Sequence, residues 1–286
     1  MKRTAFAPWL WLFPAGAMLI PFFLLPIGIV IRNSFFIDDP MGLMVPAFTG
    51  ANYVKVLTDP YYVTVFTNTL LVAAVSTIAT LIIGYPFAQL IVRVTGFNAS
   101  LLLWCVYVPL YVSVIMRAFG WTIILADSGL VNEAMLKVGI VNEPVRMLFE
   151  ASGMVIGIIH RYLPLMLIPL IAALQKIDTD LYKASSNLGA PDWLTWFRVT
   201  VPLSLPGIVG GSQLVFAGVL SDYAMPALMG STKFQLAAPA IYYEAVTNTA
   251  WALSGAMATL VLGIVALFLF VMNVTLKRVA PWSSTL

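Results

Sequence analysis

Long stretches without aspartate, glutamate, lysine or arginine divide the chain into a few apolar segments. Five of them, 4–31, 60–92, 94–116, 199–221 and 245–276, have the roughly 20 apolar residues that a membrane-crossing helix needs. A sixth, 151–175, qualifies except for His160 and Arg161. The pattern predicts an all-α membrane protein with six transmembrane helices, at about 10–31, 68–92, 100–119, 152–174, 207–229 and 253–276.

The composition indicates that these segments face lipid. Hydrophobic residues make up 61% and charged residues 9% of the 286 positions, whereas soluble domains carry about 25% charged residues. A soluble protein of this length would lack the polar side chains to cover its surface. The formal charge of +3 is small and scattered, which argues against a nucleic-acid partner.

Candidate catalytic chemistry is sparse in this chain. One cysteine, Cys105, permits no internal disulfide, and a single histidine, His160, excludes a His/Cys metal cage. The sequence has no HExxH, G-x-S-x-G or glycine-rich GKS/GKT phosphate loop, so an intramembrane enzyme is disfavoured. Without a phosphate loop, the chain is expected to need an energising partner.

The charged residues between the spans predict the orientation. The apolar run 4–31 is longer than the roughly 7–15 residues of a signal-peptide core, so it is interpreted as an uncleaved first span. With a cytoplasmic N-terminus, that side holds eight lysines and arginines against seven elsewhere, and nine of the twelve acids lie outside or in the membrane. Both termini are therefore predicted to be cytoplasmic.

The connection between the fourth and fifth spans, 175–206, is predicted to contain two short helices. Asp178 followed by Thr179 is typical of a helix start, and Gly189 followed by Pro191 is typical of a stop. A second short helix from Pro191 is predicted to end before Pro202 and Pro206. Such a pair on the cytoplasmic face indicates a docking element, the alternative being a solvated loop.

This connection resembles the E-A-A signature of the membrane subunits of binding-protein-dependent ATP-binding-cassette (ABC) importers. The resemblance extends to segments before the second span, outside the membrane and at the end of the fifth span, and it is strongest to the spermidine/putrescine branch. The matching residues are Lys183-Ala184-Ser185, Gly189, Trp196-Phe197, Val199-Thr200-Val201-Pro202, Phe48-Thr49-Gly50-Ala51-Asn52-Tyr53, Asp59-Pro60, Asn68-Thr69, Gly129-Leu130-Val131-Asn132 and the run 222–230 beginning Asp222-Tyr223.

The resemblance implies a single type I permease domain over 1–286, in the bacterial inner membrane and without catalytic activity. It implies three partners: an ATPase dimer that binds ATP and Mg²⁺, a second permease subunit, identical or homologous, and an extracytoplasmic solute-binding protein. No cofactor is expected in this chain. The implied ATPase-coupling residues are Lys183, Ala184, Ser185, Gly189, Trp196, Phe197 and Pro202.

Two positions depart from the pattern of the family. Lys183 replaces the glutamate that opens the signature, so docking is expected to rely on shape, because small Ala184 and Ser185 still permit close approach. His160 and Arg161 stand where polyamine-type relatives usually carry uncharged residues.

Charged and aromatic residues within the spans are candidates for the solute path. They are Arg161, His160, Asp222, Tyr223, Tyr162 and Tyr111. Arg161 and Asp222 lie at similar predicted depths, so they either form a structural ion pair or contact solute. The tyrosines are equally consistent with packing or interfacial roles, and Arg117 with Trp121 is predicted near the outer end of the third span.

Three functional alternatives follow. The solute is a polyamine-like or related amine or amino-acid-like compound; alternatively, a free Arg161 favours a carboxylate or phosphonate. The alternative of another class, a self-sufficient secondary transporter, predicts an inverted repeat and broken helices, and neither is evident in the sequence.

Overall fold

The computed structural model describes residues 13–14, 16–39, 44–231 and 233–281. The beginning of the first predicted span, 10–12, and the lysine and arginine at 2–3 lie outside them. Twelve helices are present in these ranges: α1 Gly16–Asn33, α2 Ala51–Thr58, α3 Pro60–Arg93, α4 Phe97–Tyr111, α5 Val114–Ile124, α6 Leu130–Val138, α7 Ala151–Gln175, α8 Thr179–Asn187, α9 Asp192–Leu220, α10 Ala224–Met229, α11 Ala237–Val246 and α12 Trp251–Val279. One short antiparallel hairpin pairs β1 Ile37–Asp38 with β2 Met44–Val45.

Five of the described helices, α1, α3, α7, α9 and α12, are long and apolar enough to cross a membrane. The bent pair α4 and α5 makes a sixth crossing if it is counted as one span. The predicted all-helical membrane fold is therefore confirmed, with the two-residue strands as a minor addition.

The prediction of a single helix over 100–119 is wrong, because this part of the chain forms two helices, α4 and α5. The axes of α4 and α5 differ by 105°, and the intervening Val112 and Ser113 are extended, with ψ of 130° and 138°. Pro109 lies in the last turn of α4, where it removes a backbone donor and crowds the preceding turn. No broken helix was evident in the sequence, so the expectation of unbroken spans is also corrected.

The predicted short helix ending before Pro202 is also wrong. Residues 192–220 form one continuous helix, α9, which passes through Pro202 and Pro206. A wide π turn at Trp196–Thr200 precedes Pro202, and the amide of Val201 donates to the carbonyl of Trp196. Because Pro202 occupies a first-turn position after the π turn, its missing amide hydrogen is tolerated.

The predicted fifth span, 207–229, ends earlier than expected. Helix α9 stops at Leu220, and the separate helix α10 begins at Ala224. Asp222 therefore lies in the break between two helices and not within a continuous span.

The described residues form two compact units. One comprises residues up to Val63 and Ala240–Gly263. Within it, both carboxylate oxygens of Asp38 accept hydrogen bonds from the first amides of α12, those of Ala252 at 2.7 Å and Leu253 at 2.9 Å. The buried carboxylate of Glu244 accepts from Tyr62 and Asn248, each at 2.8 Å.

The other unit comprises Thr64–Pro239 and the chain after Ile264, and its core is the contact between α7 and α9. Gly207, Gly211 and Gly218 on α9 face α7 at very short range. A Cβ at Gly207 would lie 2.6 Å from the carbonyl oxygen of Pro169, and one at Gly218 would lie 2.3 Å from the Tyr162 ring. Small residues of this kind let two helix backbones pack closely in a membrane.

Candidate functional site

Arg161 and Asp222 form an ion pair at the contact between α7 and the end of α9. Arg161 Nη1 lies 3.0 Å from Asp222 Oδ1, and the side chains are 24% and 1% exposed, respectively. The same oxygen accepts the backbone amide of Met225 at 3.3 Å, so Asp222 also caps the first turn of α10. The two predicted residues are therefore brought together, and the arginine is the member that reaches the surface.

Tyr162, the neighbour of Arg161, has a structural position. Its hydroxyl donates to the carbonyl of Gly218 at 2.7 Å, and the side chain is buried. The Arg161 guanidinium carbon lies 5.4 Å from the centre of the Tyr162 ring. These contacts favour the packing interpretation of Tyr162, whose ring contacts the Arg161 guanidinium and whose hydroxyl joins α7 to α9.

His160 contacts the second half of the broken span. The indole Nε1 of Trp121 donates to His160 Nδ1 at 3.2 Å, with the ring centres 5.5 Å apart. Arg117, on the same helix as Trp121, is buried, so its position near the outer end of the third span does not let its side chain extend to the lipid headgroups, as an arginine there otherwise can. The sequence did not predict that Arg117 donates to the carbonyls of Pro109 and Val112; Pro109 in the preceding apolar run was the available signal.

The remaining aromatic candidates differ in position. Tyr223 follows Asp222 directly and is exposed, as is Tyr111, the last residue of α4. Tyr111 is 88% exposed, whereas Tyr162 and Asp222 are buried. Its place in a solute path stays a prediction.

The start and stop signals predicted for α8 are confirmed. Asp178 accepts the amide of Asp180 at 2.9 Å and caps the N-terminus. At the C-terminus, Gly189 has φ of +76°, and the amides of Gly189 and Ala190 donate to the carbonyls of Ser186 and Ser185. This paired arrangement ends a helix at a left-handed glycine.

Two signature residues of α8, Lys183 and Ala184, are exposed, and Ser185 is half-buried. Lys183 is 73% exposed and its Nζ lies 2.7 Å from Asp180 on the same helix, while Ala184 is exposed beside it. The Ser185 hydroxyl lies 2.7 Å from that of Thr195, which attaches α8 to the first turn of α9. Large apolar side chains of this region are also exposed, namely Leu181, Leu188, Trp193 and Phe197.

Trp196 connects this region to α3. Trp196 is half-buried and packs edge-on against Tyr85 of α3, with ring centres 5.6 Å apart. Cavities of about 460 and 690 Å³ adjoin the ends of α7 and α8. The first is lined by Leu181, Leu203 and Pro206, so α8 is held at a few points and is not packed along its whole length.

Comparison with known proteins identifies the family. No protein-family model matches the chain. The spermidine/putrescine transport system permease protein PotB of Escherichia coli is 32% identical over 252 residues, which cover 87% of this chain and 91% of PotB. The molybdenum transport system permease protein ModB of the same bacterium is 30% identical over 169 residues, 59% of this chain and 71% of ModB.

Solved structures agree on the fold. The bacterial alginate ABC transporter in complex with its alginate-pentasaccharide-bound periplasmic protein matches with a TM-score of 0.77 at 17% identity, over 96% of this chain and 94% of that chain. The methionine ABC transporter MetNI matches with a TM-score of 0.57 at 18% identity, over 74% of this chain and 93% of that chain.

The chain belongs to the family of membrane permease subunits of ABC importers. Within this family it is similar to PotB along most of its length. It is a non-catalytic transport component with several membrane-spanning helices.

Proposed function

We propose that this chain forms half of the translocation path of an ABC importer for a small polar, polyamine-like solute. The observation that carries the proposal is the similarity to PotB over 87% of the chain. The partners would be an ATPase dimer that binds ATP and Mg²⁺, a second permease subunit and an extracytoplasmic solute-binding protein. We further propose a single permease domain in the bacterial inner membrane with both termini cytoplasmic.

The surface around α8 would be the site of coupling to the ATPase. The supporting observations are a capped helix with exposed Ala184 and Leu188, and the left-handed turn at Gly189. Exposed apolar side chains at a capped helix end are typical of an interaction site. Closure of the ATPase on ATP would move α8, and the Ser185–Thr195 contact would pass this movement to α9.

The Arg161–Asp222 pair would lie beside the solute path. Movement of α9 relative to α7 would change the separation of these two groups, which lie at the end of the α7–α9 contact. Because Asp222 is covered while paired, a solute ammonium group would reach it only when Arg161 turns away. If Arg161 does not turn away, the pair only neutralises its two charges and joins α7 to the end of α9.

The exposure of Arg161 favours a second candidate solute. In the present arrangement, the group offered to the surface is a guanidinium and not a carboxylate. Arginine binds carboxylates and phosphonates with paired hydrogen bonds. The same importer class acting on an anionic solute therefore stays an alternative.

Reconstitution tests these proposals. We expect an ATPase to co-purify with the chain, and the complex in liposomes to take up radiolabelled putrescine or spermidine when ATP and the solute-binding protein are supplied. Uptake by the isolated chain alone would contradict the importer assignment. Uptake of glutamate or 2-aminoethylphosphonate, with no uptake of either polyamine, would favour the anionic alternative.

A further inference from the structure

The break between α4 and α5 leaves backbone carbonyls that need hydrogen-bond donors. The last four carbonyls of any helix lack partners within that helix, and a membrane interior offers no water to satisfy them. Here the extended residues Val112 and Ser113 interrupt the helical pattern. The amide of Val112 donates to the carbonyl of Pro109 at 3.3 Å, and any further donors must come from outside α4.

Arg117 supplies these donors from the first turns of α5. Its Nη2 donates to the carbonyls of Pro109 and, at 3.1 Å, Val112, and its Nη1 donates to the carbonyl of Arg161 at 3.5 Å. One guanidinium thus contacts the last turn of α4, the extended Val112 and the backbone of α7. A cation at the C-terminal end of a helix is also favoured by the helix dipole.

A second contact lies one turn further along the same helix. Trp121 follows Arg117 by four residues, which places both side chains on one face of α5. Trp121 donates to His160, and Arg117 donates to the next residue, Arg161. Two polar contacts therefore hold α5 against the turn of α7 whose arginine pairs with Asp222.

We propose that Arg117 is a positioning residue, which closes the break in the third span and fixes the backbone of Arg161 so that its side chain reaches Asp222. The planar guanidinium is suited to this task, because it directs several donors to three carbonyls at once. A lysine has the same charge but only one nitrogen. The proposal does not depend on the identity of the solute.

Distance measurements between two spin labels test whether Arg117 holds α4 and α5 in their bent arrangement. The single cysteine of the chain, Cys105, is exposed on α4, and Ile123→Cys adds an exposed site on α5. A continuous helix would separate these positions by about 27 Å, and the 105° bend brings them closer. In nanodiscs, we expect Arg117→Met to lengthen and broaden the distance distribution, while Arg146→Met, at an exposed arginine, leaves it unchanged.

An unchanged distribution in Arg117→Met would overturn the proposal. If this variant does not accumulate in membranes, Arg117→Lys decides the question. We expect Arg117→Lys to broaden the distribution, because the three donors of an ammonium group share one nitrogen and cannot replace bonds made from both Nη1 and Nη2. A narrow distribution like that of the parent protein would overturn the proposal. Trp121→Phe, which removes only the contact to His160, is expected to have a smaller effect.

A mutant cycle tests the positioning of Arg161. If Arg117 acts through Arg161, Asp222→Asn should lower the melting temperature less in the Arg117→Met background than in the parent protein, by at most half as much. Arg117→Lys replaces Arg117→Met as the background if the latter does not accumulate in membranes. Full additivity of the two losses would show that Arg117 does not position the ion pair.

Discussion

Arg161 of α7 and Asp222, between α9 and α10, are paired at 3.0 Å, yet only the arginine reaches the surface. The two residues are therefore not equivalent. Removal of the arginine leaves a covered carboxylate, whereas removal of the aspartate leaves a guanidinium that water can reach. This asymmetry makes the effects of single substitutions distinguishable.

Arg161→Gln is expected to be more destabilising than Asp222→Asn. Loss of one partner from a buried ion pair costs about 3–5 kcal/mol, and this applies to the covered carboxylate. For the partly exposed arginine, we expect about 1–3 kcal/mol. Thermal unfolding in detergent measures both losses, and equal losses would contradict the asymmetry.

The double variant Arg161→Gln/Asp222→Asn distinguishes a structural pair from a solute site. If the residues only neutralise each other, the double variant should regain stability and uptake relative to Arg161→Gln. If they contact solute, each single variant should lose uptake while folded, and the double variant should not recover it. We expect the structural outcome, because the 3.0 Å contact between Arg161 and the covered carboxylate of Asp222 accounts for both charges.

Gly189→Trp is expected to abolish solute-stimulated ATP hydrolysis without preventing membrane insertion. A Cβ at Gly189 meets no atom within 4 Å. A large side chain there would therefore clash with a docked partner and not with other residues of this chain. The positive φ adds a cost of about 1 kcal/mol. ATPase assays of the reconstituted complex measure the effect.

Gly139→Trp is the matched control for that variant. Gly139 also has a positive φ, +74°, at the end of α6, and a Cβ there meets nothing within 4 Å. We expect this variant to retain stimulated hydrolysis. Normal stimulation in Gly189→Trp, or equal loss in both variants, would show that α8 is not the coupling element.

Gly218→Ala is expected to disturb the contact between α7 and α9. The new Cβ would lie 2.3 Å from the ring of Tyr162, and overpacking of this kind costs about 1–3 kcal/mol. Gly210→Ala, on the same helix, would make an ordinary contact of 3.6 Å with Pro169 and should be nearly neutral. A comparison of the two melting temperatures checks this, and equal values would be inconsistent with the close packing.

Asp38→Ala is expected to destabilise the protein through loss of the cap on α12. Loss of a capping side chain costs about 0.5–2 kcal/mol, and Asp38 accepts two amides at once. Asp127→Ala, at an exposed aspartate, is the control. Thermal unfolding of both variants measures the difference, and a neutral Asp38→Ala would rule out a stabilising cap.

Features that depend on neighbouring residues were correctly predicted. The apolar runs predicted the membrane helices, because about 20 apolar residues suffice to cross a bilayer whatever else the chain does. The ends of α8 were predicted from Asp178 and Gly189, because both signals act on backbone groups within one turn. The signature around 183–202 similarly indicated the family.

Features that depend on distant residues were not predictable. The break after Tyr111 is stabilised by contacts of Arg117 with the carbonyls of Val112 and Arg161. Helix α9 continues through Pro202 because a π turn precedes it, so its missing amide hydrogen is tolerated. Asp222 could be placed in a break only when both helices were known. Sequence periodicity reports which residues avoid water, whereas a break in a membrane helix requires specific donors from elsewhere in the chain, and only the folded molecule brings these donors to the carbonyls.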